Sequence, residues 1–332
     1  EQSSITYKFR SFKMKKQLLI AAVAATMTSA AMADISISGN AKFEYQNVEA
    51  TGVADNINKT NTEVNLKLRG KSGDTSVVVD VASDGGSALV VEDQYLTTKV
   101  GDVTVKAGNY ASGTSGILGE IDEGSRSNNK VTLSTTLGGA TVYVGNAGSS
   151  SASTTFTTIN NNMFAGVKMD VAGVTVQAKK VSDTEDAFGV SGDMSGVGFR
   201  LEQKQGTGSN TDVVFGNVTT DVNGISLGYA WIDADADTLI GEDDSSIFAV
   251  ENAGSGDSNS QFTASTSVQG NKVTLKAGTV GFKAATLDRD YTQVAVSRSL
   301  ASGATASVTY TDKELTDTTD SQTFEAELSV KF

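Results

Sequence analysis

The sequence contains no cysteine, no histidine and no proline. The missing cysteine and histidine exclude disulfides, a histidine-bearing metal site and a histidine-based catalytic triad. Proline removes a ladder hydrogen bond and is expelled from central strands, so its absence leaves every stretch free to form a strand. After residue 33, no stretch approaches 18 consecutive apolar residues, which argues against a transmembrane helix.

The first 33 residues have the features of an export signal. Residues 1–13 do not begin with Met, and we interpret them as an over-extended start. Residues 14–33 predict a signal peptide, with basic residues after Met14, an apolar run from Leu18 to Ala25 and an Ala-Met-Ala cleavage site ending at Ala33. The apolar run is shorter than the roughly 20 residues of a spanning helix. We therefore expect one mature domain over residues 34–332.

The charge balance is acidic. Removal of residues 1–33 takes away five basic residues and one acid, so the net charge changes from −13 to −17. Nucleic acid requires a basic surface, which excludes it as an expected partner. An exported surface with acidic loops fits this balance.

Apolar residues alternate with polar or small ones along most of the chain. One example is the segment that begins at Ile35, and others begin at Val64 and Ile225. A period of two predicts strands with one apolar and one polar face. Tight turns separate them, and these lie at Ser72-Gly73-Asp74, Gly101-Asp102, Gly138-Gly139, Ala172-Gly173, Ser195-Gly196, Asn223-Gly224, Gly270-Asn271 and Ala301-Ser302-Gly303.

Longer polar segments alternate with these eight turns, which is typical of an outer-membrane barrel. We expect them to be loops, and they are Gln46 to Thr62, Asn109 to Asn129, Asn146 to Asn161, Asp233 to Asn259 and Asp312 to Gln322. The pattern predicts an all-β fold, a transmembrane antiparallel up-and-down β-barrel of 16 to 18 strands. A soluble sandwich would turn its apolar face inward, whereas a barrel this wide has an aqueous interior and must face lipid with its apolar side. Four aromatic residues occupy apolar positions of the alternation at the strand ends next to the long loops, and these are Tyr45, Tyr229, Trp231 and Tyr310. They predict an aromatic girdle at the boundary between membrane and water.

Both ends of this domain resemble a known family. The ending FEAELSVKF alternates and closes on Phe332, and it resembles the last strand of Gram-negative porins. The hairpin from Tyr291 to Asp312 and the strand from Asp34 to Tyr45 are similar to the penultimate hairpin and first strand of trimeric general porins. The resemblance implies a homotrimer in outer-membrane lipid and lipopolysaccharide, passing small hydrophilic solutes and ions. It also implies that Phe332 is the signal read by the barrel-assembly machinery, and it implies no cofactor.

The segment from Asn109 to Asn129 looks like the loop that narrows the pore in that family. The resemblance implies an inward-folded constriction loop whose acids are Glu120, Asp122 and Glu123. An exposed acidic loop is the alternative. Strand parity predicts a facing wall of basic residues in the lumen, and its members are Lys42, Lys67, Arg69, Lys106, Lys168, Lys179, Arg200 and Lys204. Lys272 and Lys276 share this parity, and acids on it are fewer.

The remaining motifs favour no chemistry. The segment from Asp233 to Asp244 begins like a calcium loop but has Thr238 where glycine is required, so calcium binding there stays open. The close acids of the 109–129 loop do not flank a substrate as a glycosidase pair would, and we expect no enzyme activity and no metal. A substrate-selective channel and a structural or adhesive barrel remain alternatives. Few aromatic residues share the lumen parity, Tyr143 among them.

Overall fold

The structure is a computed structural model that describes eleven segments of the chain. These are residues 34–51, 57–85, 88–111, 126–146, 163–182, 185–206, 212–234, 247–249, 258–281, 288–316 and 319–332. Among the described residues, no helix is long and apolar enough to cross a membrane.

Eighteen strands make up almost all of the described residues. In chain order they are β1 (Asp34–Ala50), β2 (Ile57–Ser72), β3 (Thr75–Ser83), β4 (Val90–Val100), β5 (Val103–Ala111), β6 (Arg126–Leu137), β7 (Ala140–Asn146), β8 (Met163–Val171), β9 (Val174–Ser182), β10 (Glu185–Met194), β11 (Val197–Gly206), β12 (Val213–Val222), β13 (Ile225–Ala234), β14 (Ser258–Val268), β15 (Asn271–Gly281), β16 (Arg289–Ser299), β17 (Ala304–Thr316) and β18 (Thr319–Lys331).

The sheet closes on itself. Each strand pairs antiparallel with its neighbours in the chain, and β1 also pairs antiparallel with β18. Phe332 continues this closing pairing, because its backbone N–H donates to the Gly39 carbonyl and its carbonyl accepts from the Gly39 N–H. The predicted up-and-down barrel is therefore confirmed, with the higher of the two expected strand numbers.

The eight short turns join the strands at one end. At Ala172-Gly173, Ser195-Gly196 and Asn223-Gly224 both central residues have positive φ, the conformation of the type I′ turn whose twist matches that of the flanking strands. One predicted turn was wrong by one residue. Gln269 and Gly270 hold the positive φ values of 53° and 79°, and Asn271 is already the first residue of β15.

The long connections are at the other end, and the first and the last of them are shorter than predicted. β1 continues to Ala50 and β2 begins at Ile57, so both strands extend into the segment expected to be a loop. β17 and β18 likewise extend to Thr316 and from Thr319. Extended hairpins satisfy their own backbone hydrogen bonds, which explains why the strands continue beyond the apolar band.

The barrel has apolar side chains on its outer face and polar ones on its inner face, the reverse of a water-soluble protein. Large apolar side chains point outward and are exposed, such as Ile37 at 62%, Phe43 at 50% and Phe262 at 45%. Side chains on the opposite parity point inward, and several polar ones are buried, including Glu202 at 0% and Gln261 at 1%. An apolar band around the whole outside is stable only in a hydrocarbon environment, and 18 strands enclose a space too wide for wall side chains to fill.

The aromatic girdle is on the outer face as predicted. Tyr229 and Tyr310 are exposed at 48% and 40%, and both follow the outward parity of their strands. Tyr229 stacks on Trp231 with ring centroids 5.9 Å apart. Aromatic rings with a polar edge prefer the boundary between hydrocarbon and water, so these residues mark one rim of the apolar band.

Candidate functional site in the barrel lumen

The candidate site is the inner wall of the barrel. The structure places all eight predicted basic residues on the inward parity of their strands. Lys42, for example, is next to outward-facing Phe43, and Lys67 is next to Leu68, which lies opposite outward-facing Ile37. Their placement follows from the two-residue period of a strand.

Three of these basic residues are paired with carboxylates of the wall. The Lys42 ammonium lies 2.8 Å from the Glu63 carboxylate, and the Lys67 ammonium lies 3.0 Å from that of Asp80. Arg200 forms an ion pair with Glu202, which is fully buried. Such pairing reduces the positive potential that these residues present to a solute in the lumen.

Four other contacts join three of the predicted basic residues to aromatic rings. The Lys106 ammonium lies 3.9 Å from the ring centroid of Tyr95 and 4.0 Å from that of Tyr110. Lys179 lies 5.5 Å from the Phe164 ring. The Arg200 guanidinium carbon lies 5.2 Å from the centroid of Phe215. Each cation is thus held by the negative face of a ring on the wall.

The expectation of few aromatic residues on the lumen face was wrong. Besides Tyr143, the inward parity carries five more aromatic residues, and these are Tyr95, Tyr110, Phe164, Phe215 and Tyr291. Four of those five are buried, with Tyr95 half-buried. The apolar run at Val213–Phe215 shows no alternation from which parity could be read. Tyr110 shares the parity of Lys106, so that ring could have been assigned to the lumen from the sequence.

Hydrogen bonds fix several of these rings. The Tyr110 and Thr132 hydroxyls share a hydrogen bond of 2.7 Å, and the Tyr291 hydroxyl donates to Asn259 Oδ1 at 2.9 Å. Gln177 donates to the Tyr143 hydroxyl at 3.0 Å. Buried phenol groups normally require such partners, so the rings form an ordered layer of the wall.

Charge is distributed unevenly around the wall. Glu44, Glu325 and Glu327 lie on the adjoining strands β1 and β18, with carboxylate oxygens within 4.8 Å of one another. Seven to nine strands away by the shorter way round the barrel, on β8, β9 and β11, lie four of the predicted basic residues, Lys168, Lys179, Arg200 and Lys204. Nine strands are half of the circumference, so the two groups occupy opposite sectors.

The carboxylate group is the one set of described residues with the spacing of metal ligands. The Lys42 ammonium lies 3.7 Å from the Glu44 carboxylate, so the protein itself supplies positive charge beside it. Three carboxylates outnumber this one ammonium, so this part of the wall presents net negative charge to the lumen.

One part of a long connection lies inside the barrel. Phe248 packs against inward-facing residues of β10, β12 and β13, and its ring centroid lies 6.4 Å from that of Phe215. Sequence reasoning missed this contact, because the residues around Ile247 and Phe248 are a short apolar interruption in an acidic loop and nothing local gives their destination.

Several predicted positions lie outside the described residues. They include the constriction acids Glu120, Asp122 and Glu123, and most of the possible calcium loop after Ala234. Asp233 is described and lies near the end of β13. Phe332 is described, and its ring packs over Gly39 on the outer face.

Comparison with solved structures identifies the fold. OccK11 (OpdR) of Pseudomonas aeruginosa is 12% identical and has a TM-score of 0.62, with 90% of this chain and 96% of that chain aligned. For Pseudomonas aeruginosa OpdQ the identity is 10%, the TM-score 0.60 and the coverage 90% and 97%. A mutant of the Rh. blastica porin has 12% identity, a TM-score of 0.55 and coverage of 90% and 100%.

These matches define the chain as an all-β barrel with the fold of the bacterial outer-membrane porins. No protein-family model and no curated protein matches the sequence. At 10 to 12% identity the structural matches establish the fold alone, and the function is argued from the lumen itself.

Proposed function

We propose that this protein is an outer-membrane porin, a water-filled channel for passive diffusion of small hydrophilic solutes and ions that performs no chemistry. The observation that carries the proposal is the inverted polarity of the closed 18-strand barrel. Outward apolar side chains require lipid, and inward polar side chains on a wall of this circumference line an aqueous space. The location follows, since barrels of this type span the outer membrane.

The wall charges support a role in selecting polar solutes. Carboxylates on β1 and β18 face basic residues on β8, β9 and β11 across the lumen. Charges of opposite sign on opposite walls create a field across the pore, which orients dipolar solutes and penalises apolar ones.

We propose further that Glu120, Asp122 and Glu123 narrow the pore, in line with the resemblance of their loop to a porin constriction loop. The test is the triple change of these acids to Gln or Asn, followed by measurement of the reversal potential in a salt gradient. A shift toward anion selectivity supports the proposal. An unchanged reversal potential and an unchanged conductance place the loop outside the narrow part of the pore.

The assembly and export of the protein are also proposals. Residues 14–33 direct export and are removed, the barrel-assembly machinery reads Phe332, and the barrel forms a homotrimer in a bilayer containing lipopolysaccharide. The pairing of Phe332 with Gly39 supports a role for the last residue in closure of the barrel. Replacing Phe332 with Ala should lower the folded fraction in the outer membrane.

A substrate-selective channel is the second candidate, and the lumen aromatic residues favour it. Lys106 lies between the rings of Tyr95 and Tyr110, and Lys179 lies over Phe164. Cations and aromatic faces along one wall resemble a surface on which a solute could be retained. A saturable permeation rate would distinguish this candidate from a general porin.

The experiment is reconstitution of the refolded barrel in planar bilayers. Stable current steps in groups of three support a trimeric porin, whereas single steps support a monomeric channel. Solute flux that rises linearly with concentration supports general diffusion, and flux that saturates supports selectivity. Absence of conductance at every voltage in correctly folded protein would contradict both candidates and favour a structural or adhesive barrel.

A further inference from the structure

Phe248 occupies an apolar socket on the inner wall of the barrel. The socket consists of inward-facing residues from three strands, and these are Ala187, Val213, Phe215, Ala230, Ile232 and Ala234. Phe248 itself is 7% exposed, and Phe215 is fully buried. An apolar surface of this size on the wall of an aqueous pore would be unfavourable if it were left open to water.

The backbone on both sides of Phe248 is held by one side chain. The Gln261 amide nitrogen donates to the Ile247 carbonyl at 2.6 Å, and the Gln261 amide oxygen accepts from the Ala249 N–H at 2.6 Å. The Lys276 ammonium donates to the same Ile247 carbonyl at 3.1 Å. Gln261 thus makes the pair of hydrogen bonds that a neighbouring strand would make, and it is almost fully buried.

These contacts fix a point in the middle of a long connection. Twenty-three residues join Ala234 at the end of β13 to Ser258 at the start of β14. Holding the middle of a connection of this length at one point reduces the conformational entropy of the chain, so the anchoring contacts must offset that loss. The buried ring of Phe248 and the two hydrogen bonds of Gln261 are stabilising contacts that can offset this loss.

We propose that Ile247, Phe248 and Ala249 form a latch that narrows the lumen, and that Phe248 and Gln261 are the residues that set the size limit for solutes. The latch contacts residues of β10 and of β12 to β15, so it takes space from the pore on that side of the wall. The pore-size part of this inference rests on the proposed channel function. The latch itself does not.

The first experiment tests the latch without any measurement of transport. The chain contains no cysteine, so Ala230→Cys places a single thiol in the socket, where the native side chain is 3% exposed. A charged methanethiosulfonate reagent added to the refolded protein should react slowly. Combining this change with Phe248→Ser should raise the labelling rate by at least about tenfold, equivalent to about 1.4 kcal/mol.

Thr219→Cys is the matched control. Thr219 also faces the lumen, on β12, and is exposed, so its labelling rate should be the same with and without Phe248→Ser. Equal rates for Ala230→Cys in the two backgrounds would overturn the latch, whatever the bilayer experiments show. Gln261→Leu keeps Phe248 and provides a second route to release, with the same increase expected at Ala230→Cys.

The second experiment measures the pore. Phe248→Ser should increase single-channel conductance and its noise, and it should speed the entry of larger neutral sugars into liposomes more than that of small ones. Phe262→Ser is the control, because Phe262 lies on β14 beside Gln261 and faces outward, 45% exposed. Faster labelling with unchanged conductance and unchanged sugar rates would overturn the size-limit assignment while leaving the latch intact.

Discussion

Neutralising Glu327 should stabilise the barrel. Its carboxylate is one of three within 4.8 Å of one another on β1 and β18, so Glu327 takes part in two of the three repulsive pairs. At 4.8 Å each pair costs about 0.9 kcal/mol in a dielectric like that of water. Screening at physiological ionic strength, where the Debye length is about 8 Å, reduces the two pairs together to about 1 kcal/mol.

The change is Glu327→Gln, which keeps the shape of the side chain and removes its charge. Loss of the weaker attraction between Glu327 and Lys42 offsets part of this gain. We therefore expect the free energy of unfolding to rise by about 0.5 to 1 kcal/mol at neutral pH in 0.15 M salt, and the gain to fall in 1 M salt. Denaturant unfolding in detergent can be followed by tryptophan fluorescence, since the chain has a single tryptophan, Trp231 on β13.

Two comparisons make this prediction refutable. Lys42→Gln removes the attractions at 2.8 Å to Glu63 and at 3.7 Å to Glu44, so it should destabilise the same barrel by about 1 kcal/mol. Glu314→Gln makes the same chemical change on β17, where Glu314 lies opposite one acid, Asp320, and both are exposed to solvent that screens the repulsion, so its effect should be smaller than that of Glu327→Gln. A Glu327→Gln barrel that unfolds at the wild-type denaturant concentration, or earlier, would refute the electrostatic argument.

Two further predictions concern the packing of the inner wall. A Cβ at Gly278 would overlap the Tyr291 hydroxyl and the Ser260 carbonyl oxygen, so Gly278→Ala should destabilise the barrel by about 1 to 3 kcal/mol. Gly228→Ala, which has no atom nearer than 3.7 Å, should be close to neutral in the same unfolding assay. Arg200→Ala removes the arginine partner of the fully buried Glu202 and should cost about 3 to 5 kcal/mol. A double change to Met at Arg200 and Gln at Glu202 should recover most of that loss, and equal unfolding midpoints for single and double variants would contradict the buried-pair argument.

Strand parity was predictable because it is a local property. The side chains of a strand alternate every residue, so a few exposed apolar positions assign every other residue to a face. This was sufficient to place Lys42, Lys67 and Arg200 on the inner wall. It failed where alternation is absent, as at Val213 to Phe215.

Turns were predictable for a similar reason. Dipeptides such as Asn223-Gly224 tolerate positive φ at both positions, and few other residues do. The error at Gln269 shows the limit of this argument. Glutamine seldom adopts positive φ, so the type I′ turn at Gln269-Gly270 is fixed by the register of β14 with β15 and by Gly270, not by the preference of Gln269.

The sequence by itself determined that this chain is a membrane barrel with polar residues inside. The two-residue alternation, the turn dipeptides and the absence of proline are all local features that can be read from neighbouring residues. Only the tertiary structure decided which inward residues meet. Glu44 and Glu327 are 283 positions apart and face each other because β1 pairs with β18. Phe248 meets Phe215 because a connection turns back onto the wall. Contacts of this kind depend on closure and register of the whole sheet, which no local pattern encodes.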